Sequence, residues 1–593
     1  MKRSGLVVPL LLCLSVVVVV SVLRVSSARG VLEQEIAPQD DAILFPHEQL
    51  GDSPGERPPQ STPRTKAAPV LRGGFVSYQV NVDANGNNIT GDAGNEPSLC
   101  VDPTDPSRIA VGWRQFDTIT SNFRTAGNAY STDVGKSWTN NTVLTPGTFR
   151  SDPVLAADPD GTFYYYSLKG DFSCDTFQSV DGGQTWTGPV AALGGDKAWF
   201  IVDRTSGAGA GNLYIDWSLF AGCCGSDTFT RSTDGGSTYD TPQASPGDIV
   251  WGTLDTDSNG RLYVCGRSPN NSSELYVAMS PNAADPIQTP VFTQIVEVDL
   301  DGGLRFSEGP NPGGLLGQMW VAVDRSGGAN DGNVYALASV NPPGSDPLDV
   351  HFSRSTDGGL TWSAPIRIND DATDNGAYQW FGTMSVAPNG RIDVVWNDTR
   401  NDPSVTFSET YYSYSNDGGV TWSASVAFTP AFNHFLGYPN QSKLGDYYHS
   451  ISDNAAMNLA YAATFNGEQD VYFTRLGDAN ENGVHDSVEM VLAGPSPGTV
   501  DTVNTLTVSG AEPGASIEFA VGKQDGFTDV EGCDGLRFNM KNARVLRTRT
   551  ADGSGNVSVS GFIGSGKSGK TFYFQVHDPA SCNLSNVIEY TFP

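Results

Sequence analysis

The stretch Ser355-Thr-Asp-Gly-Gly-Leu-Thr-Trp362 (STDGGLTW) decides the fold. An Asp two residues after a Ser accepts hydrogen bonds from the backbone of its own tight turn. The two glycines supply positive φ without a Cβ clash, and the closing Trp packs the hairpin against a neighbour. The octapeptide recurs from Ser131 (STDVGKSW), Ser179 (SVDGGQTW), Ser232 (STDGGSTY) and Ser415 (SNDGGVTW), with a decayed copy from Ser280. Such repetition marks a fold built from copies of one unit, and it assigns these aspartates to turn structure rather than catalysis.

A second repeat lies between the turns. Seven segments run from a short apolar stretch through an Asp/Asn/Gly turn to another apolar stretch, anchored at Glu96, Asp152, Asp196, Trp251, Gln318, Trp380 and Asp446. The anchors stand 56, 44, 55, 67, 62 and 66 residues apart, which suits one four-stranded blade each. The expected fold is therefore an all-β propeller of seven blades, with six as the alternative, spanning residues 75–476. The paired stretches are the inner two strands of each blade, and the octapeptide joins the outer two. The last repeat has only three strands, ending with 470–476. Residues 75–82 (FVSYQVNV) are expected to supply its fourth and remove an exposed edge.

Composition agrees. Of 593 residues 67 are Gly and 36 Pro, and only 17% are charged, which suits short strands and tight turns rather than helical bundles. With 35 Lys+Arg against 66 Asp+Glu, the formal charge is -31. Such a surface repels phosphate backbones and anionic lipid, so no nucleic-acid partner is expected, while cations are attracted.

The N-terminus carries Lys2 and Arg3, an apolar run over 6–20, and Ser26-Ser27-Ala28. Residues 1–28 read as a cleaved secretory signal, placing the mature chain outside the cell or at its surface; a membrane partner enters only if that run stays as an anchor. Residues 29–74 read as a Pro-rich disordered linker. Residues 494–593 alternate apolar and polar residues in short runs and read as a small Ig-like β-sandwich. Cys533 and Cys582 are expected to pair within it, whereas Cys100, Cys174, Cys223, Cys224 and Cys265 are an odd set whose pairing the sequence leaves open.

Between the two domains, residues 477–493 place Asp478, Asn480, Asn482, Val484, Asp486 and Glu489 at the ligand positions of a twelve-residue calcium loop, with Gly483 at the sharp turn. The loop is similar to that of a dockerin or EF-hand. A structural Ca2+ that stiffens the junction is expected there.

The octapeptides resemble the Asp-boxes of sialidases and other BNR-repeat proteins over about residues 75–476. The resemblance implies that the boxes lie opposite the functional face, which the loops at the starts of the inner strands and the ends of the second strands form. Glu96, Asp152, Asp196, Lys197, Lys443, Asp446 and Tyr447 are then expected just before inner strands, and Arg114, Trp217, Asp398 and Arg400 just after second strands. A sialidase holds its substrate carboxylate with three arginines and uses a Tyr–Glu nucleophile and an Asp acid/base. By resemblance Arg114, Arg150 and Arg400 would form the trio, with Lys197, Trp217 and Asp398 beside the substrate. Tyr447 would be the nucleophile, with an acid from Glu96, Asp152, Asp196 or Asp446. The family's Phe/Tyr-Arg-Ile-Pro signature has no counterpart, since Arg108-Ile109 is followed by Ala110. The expected function is a secreted sialidase-like protein acting on or binding an extracellular glycan or glycoconjugate. The alternatives are a non-catalytic glycan- or protein-binding propeller, or another carbohydrate-active propeller such as a lyase or endo-glucanase.

Overall fold

The computed structural model describes residues 54–55, 66–72, 74–478, 490–511, 514–530, 533, 537–580 and 583–593. Among them, helix is confined to two 3-10 turns, Pro246–Asp248 and Ser565–Lys567, and no helix is long and apolar enough to cross a membrane. The expected signal, most of the expected linker, and Asn480, Asn482, Val484, Asp486 and Glu489 of the calcium loop lie outside the described residues.

Seven antiparallel sheets of three to five strands occupy residues 70–476. Their first strands are Ala93–Val101, Arg150–Ala157, Trp199–Val202, Leu254–Thr256, Trp320–Val323, Gln379–Val386 and His449–Ser452. Each packs against the next, and the seventh packs against the first. The result is an all-β propeller. Because neighbouring sheets cover both faces of an inner strand, these strands need apolar or fully satisfied polar residues throughout; all nine residues of Ala93–Val101 are buried.

The ring closes through its earliest strand. Phe75–Gln79 pairs antiparallel with Asp470–Leu476, Ser77 opposite Thr474 and Gln79 opposite Tyr472. Tyr461 donates its hydroxyl proton to Ser77 Oγ (2.6 Å) and Asn81 Nδ2 donates to Asp470 Oδ1 (2.6 Å). The two ends of the ring are thus held by side chains as well as by backbone pairing.

The octapeptide turns face away from the loops that begin the inner strands. In the copy from Ser355, the Ser355 hydroxyl donates to Asp357 Oδ1 (2.7 Å) and Gly359 N donates to Ser355 Oγ (2.9 Å). Thr361 N (2.9 Å) and Thr361 Oγ1 (2.6 Å) donate to the two Asp357 oxygens. Asp133, Asp181, Asp234 and Asp417 repeat that pattern. Gly358 and Gly359 sit at φ 75° and 89°, where a Cβ would strain the turn. The closing aromatics pack on the preceding sheet, Trp138 on Phe473 (5.3 Å between centroids) and Trp422 on Phe352 (5.1 Å). The box carboxylates are spent on their own turns.

After the ring, Val491–Ser496, Thr502–Ser509 and Val557–Ile563 form one sheet, and Ser516–Gly522, Arg544–Thr550 and Thr571–Asp578 lie in another. Leu492, Leu506 and Val508 of the first share one apolar core with Ile517, Phe519 and Val576 of the second. Of the cysteines the sequence left open, the adjacent Cys223 and Cys224 are bonded to each other, and Cys100, Cys174 and Cys265 are buried free thiols. Cys533 is disulfide-bonded; Cys582 lies outside the described residues.

Candidate functional site

The inner strands begin with a recurring irregularity. Pairing shifts register between Asn95 and Ser98, between Ser151 and Val154, and between Trp380 and Thr383. Glu96, Asp152, Lys197, Trp251 and Phe381 sit at or near these starts with φ of 48°, 46°, 54°, 61° and 60°. A non-Gly residue held there costs about 1–3 kcal/mol and persists only where its surroundings over-determine it. Here the bulge re-aims side chains, and Glu96, Asp152 and Lys197 join one cluster.

That cluster links the first, second, third and seventh sheets. Asp446 Oδ2 lies 2.6 Å from Lys197 Nζ and 2.7 Å from Lys443 Nζ. Lys443 Nζ also lies 3.3 Å from Glu96 Oε1, and Arg114 Nε lies 3.2 Å from Glu96 Oε2. Asp196 Oδ1 stands 3.7 Å from Lys197 Nζ. Asp152 accepts from Lys197 N (2.8 Å) and from Ser151 Oγ (2.9 Å). All of these side chains are buried. Burial pushes the Glu96 and Asp196 carboxyls up to about 7, against the pull of Arg114 and Lys443 on the first and Lys197 on the second. Burial would raise Asp446 as well, but Lys197 and Lys443 outweigh it and hold Asp446 well below the usual carboxylate range. Asp446 is therefore the ionised carboxylate of the cluster, facing Lys197 and a Lys443 whose pKa burial lowers, while Glu96 and Asp196 hold protons up to neutral pH.

The other expected site residues are placed elsewhere or otherwise engaged. Tyr447 is buried and donates its hydroxyl to the Pro153 carbonyl (2.8 Å), and burial followed by the nearby Glu96 raises its pKa well above the ordinary value. Arg150 pairs with Asp175 (2.8 Å) and stacks over Phe177. Arg400 pairs with Asp370 (2.7 Å) and Asp398 (2.8 Å) and lies over Tyr411. Arg114, Arg150 and Arg400 thus enter three separate ion-pair sets. Trp217 is buried against Gly195 and Gly222 rather than lining an opening.

The cluster is also covered. Two loops that begin inner strands are long, residues 298–319 and 428–448. The first carries a hairpin, Phe306–Glu308 with Asn311–Leu315, which lies over the second. Leu315 N donates to Asp446 Oδ1 (2.8 Å), Asn311 Nδ2 to the Gly445 carbonyl (2.8 Å), and Tyr438 OH to the Pro310 carbonyl (3.0 Å). A Cβ on Gly314 would lie 2.5 Å from Asp446 Oδ1, and one on Gly445 would lie 2.6 Å from Glu96 Cγ. Glycine is what lets backbone close over the carboxylates. On the loop face expected from the sequence to be functional, these charged residues form a covered ionic cluster. The sequence signal for the cover was the 67- and 66-residue spacings, longer than the first three.

No protein-family model matches the chain. A sialidase of Clostridium perfringens is 30% identical over 125 residues, which are 19% of this chain and 33% of the relative. The match thus spans only a third of that relative's length. Among solved structures, a protein of unknown function from Dyadobacter fermentans is 16% identical, with a TM-score of 0.40, over 69% of this chain and 99% of its own. The α-L-arabinofuranosidase of Fusarium graminearum is 14% identical, with a TM-score of 0.36, over 68% and 98%.

Proposed function

We propose that the chain is a seven-bladed, sialidase-like propeller that binds extracellular glycans on the loop face opposite the Asp-boxes, with the Ig-like sandwich as an accessory module. The segment shared with a sialidase supports a carbohydrate ligand. One observation favours binding over sialoside hydrolysis: Arg150 and Arg400 are each paired with a neighbouring aspartate, Arg114 is buried against Glu96, and the Tyr447 hydroxyl is spent on a backbone carbonyl. Exposed apolar side chains that could stack on sugar rings are close in the strand pairing: Phe407 (43% exposed) lies opposite Asn433, two residues before Phe435 (38%) and three before Leu436. Wild-type protein should leave a fluorogenic sialoside intact and bind immobilised glycans, with Phe435→Ala weakening binding several-fold. Sialoside turnover that disappears in Arg400→Ala would overturn this reading.

A second reading, hydrolysis or elimination by another acid–base pair, is favoured by Glu96 and Asp196, which hold protons near neutral pH. It requires the hairpin over Asp446 to move aside.

The calcium loop is proposed on sequence chemistry alone. Of its ligands only Asp478 is described; it is buried, with the Arg475 guanidinium 3.8 Å from its carboxylate. EDTA should lower the melting temperature of wild type, and Asp478→Ala should remove that difference. An EDTA-insensitive wild type would exclude the site.

A further inference from the structure

The Asp-box end of the central channel contains a cavity of about 130 Å³. Trp199, Trp320, His449, Arg204 and Arg325 line it. The two arginines occupy the same place in their repeats: Val202-Asp203-Arg204 follows the third inner strand and Val323-Asp324-Arg325 the fifth. At that place the other repeats carry Pro103, Pro159, Ser258, Pro388 and Asn454, all uncharged.

The two guanidinium groups differ in what holds them. Arg325 Nη1 donates to Asp255 Oδ1 (2.6 Å) and to the Thr256 carbonyl. Asp255 Oδ2 in turn accepts from Val323 N (2.8 Å). Arg204 makes no hydrogen bond or ion pair with any described residue, and its side chain is exposed to the cavity. Arg204 of the third sheet and His449 of the seventh line the same cavity, and burial, then the Arg204 charge, lowers the His449 pKa.

A third donor faces the same space. His449 Nδ1 accepts from Leu99 N (3.3 Å) and stands 2.7 Å from Ser98 Oγ. Because Leu99 N–H can donate only to an unprotonated Nδ1, the Ser98 hydroxyl, which itself accepts from Leu155 N (2.9 Å), also donates to Nδ1. The His449 proton is thereby assigned to Nε2, which has no partner among the described residues. Arg325 is held by Asp255, with Asp203 and Asp257 also acting on it, whereas the Arg204 guanidinium and the His449 Nε2–H have no hydrogen-bonded carboxylate among the described residues.

We propose that this end of the channel binds a small oxyanion, clamped by Arg204 together with Arg325 and the His449 Nε2–H. The planar guanidinium fork matches two oxygens of a phosphate, sulfate or carboxylate group. A single water needs about 10–15 Å³ on a comparable measure, so the cavity admits such a group but no polymer. The site is at the opposite end of the channel from the glycan face, and it stands or falls independently of that reading.

The test is isothermal titration of the full chain with millimolar sodium sulfate, phosphate or acetate, against sodium chloride at matched ionic strength. Saturable binding of at least one oxyanion is expected; the tetrahedral and acetate arms identify which class fits. Arg204→Gln should weaken it by about tenfold or more, as expected for loss of a charge-assisted hydrogen-bond pair. Arg204→Lys, which keeps the charge but loses the fork, should fall between. Phe435→Ala should bind the anion as wild type does. In chloride, Arg204→Gln should melt at or above the wild-type temperature, because it removes a like-charge contact with Arg325. Should Arg204→Gln fail to fold, the Lys variant carries the comparison. Wild-type titration no different from chloride, or a folded Gln variant (failing that, the Lys variant) that binds as tightly as wild type, would overturn the proposal.

Discussion

Asp446→Asn lowers the thermal midpoint by roughly 5–10 °C, the largest effect expected of any single substitution in the ring. The carboxylate touches two buried ammonium groups, Lys197 Nζ at 2.6 Å and Lys443 Nζ at 2.7 Å, and accepts from Leu315 N at 2.8 Å. Asparagine fills the same volume and can keep the Leu315 contact, so no cavity opens. What is lost is the charge between two cations that have no water to fall back on. Removing one partner of a buried pair costs about 3–5 kcal/mol; the longer contacts of Lys443 with Glu96 (3.3 Å) and of Lys197 with Asp196 (3.7 Å) remain and place the loss toward the lower end. For a domain of this size that corresponds to about 2 °C per kcal/mol. Arg400→Ala should cost less, since its side chain is partly exposed at 14% and water can replace part of the pairing. Scanning calorimetry decides it: a shift under about 2 °C for Asp446→Asn would mean that the ionic core is not what holds the ring together.

Stability should also fall as pH rises from about 5 to 7.5. Glu96 goes from an ordinary 4.5 to about 7 on folding, and Asp196 from 3.8 to about 7. Both are raised, so in the window from roughly pH 4 to 7 the folded state holds protons that the unfolded chain has released. Their contribution is complete below the unfolded values and is lost as pH climbs through 7. At 1.36 kcal/mol per pKa unit, the contribution is about 3 kcal/mol for Glu96 and about 4 kcal/mol for Asp196; shared neighbours make the sum smaller. On the acid side the sign reverses. The Asp357 carboxyl is held down to about 2 by hydrogen bonds from Thr361 and then Ser355, and its contribution disappears as pH falls below about 4. The optimum therefore lies near pH 4–5. Glu96→Gln should match wild type near pH 5, where Glu96 is already neutral, and should show a shallower decline toward pH 7.5. A midpoint that stays flat or rises over that interval would contradict the assignment. If Glu96→Gln and Asp196→Asn both keep the full slope, the slope belongs to the self-repulsion of the -31 surface.

Some features of this protein need no tertiary information. Every hydrogen bond that shapes an Asp-box runs between residues no more than four apart, from Ser355 to Thr361 as much as from Ser131 to Ser137. Each box therefore forms wherever its eight residues occur, and their recurrence announces repeated blades. The closing strand Phe75–Gln79 was legible because the last repeat was visibly one strand short. Glu96, Asp152, Asp196 and Asp446 could be placed near one another because each occupies the same position in its own repeat, with Lys197 next to Asp196 and Arg114 at the end of the second strand beside Glu96. Which charges touch was decided only by the tertiary structure. Lys197 and Asp446 are 249 residues apart, and nothing local distinguishes a pair that meets across the axis from Arg150 or Arg400, which find an aspartate nearby. The same holds at the other end of the channel. Arg204 and Arg325 follow the same Val-Asp dipeptide, yet Asp255 pairs directly with Arg325, because the Asp255 strand between them offers its oxygens to the fifth sheet. Electrostatic energy depends on distance through space, and the chain specifies that distance only after the ring has closed.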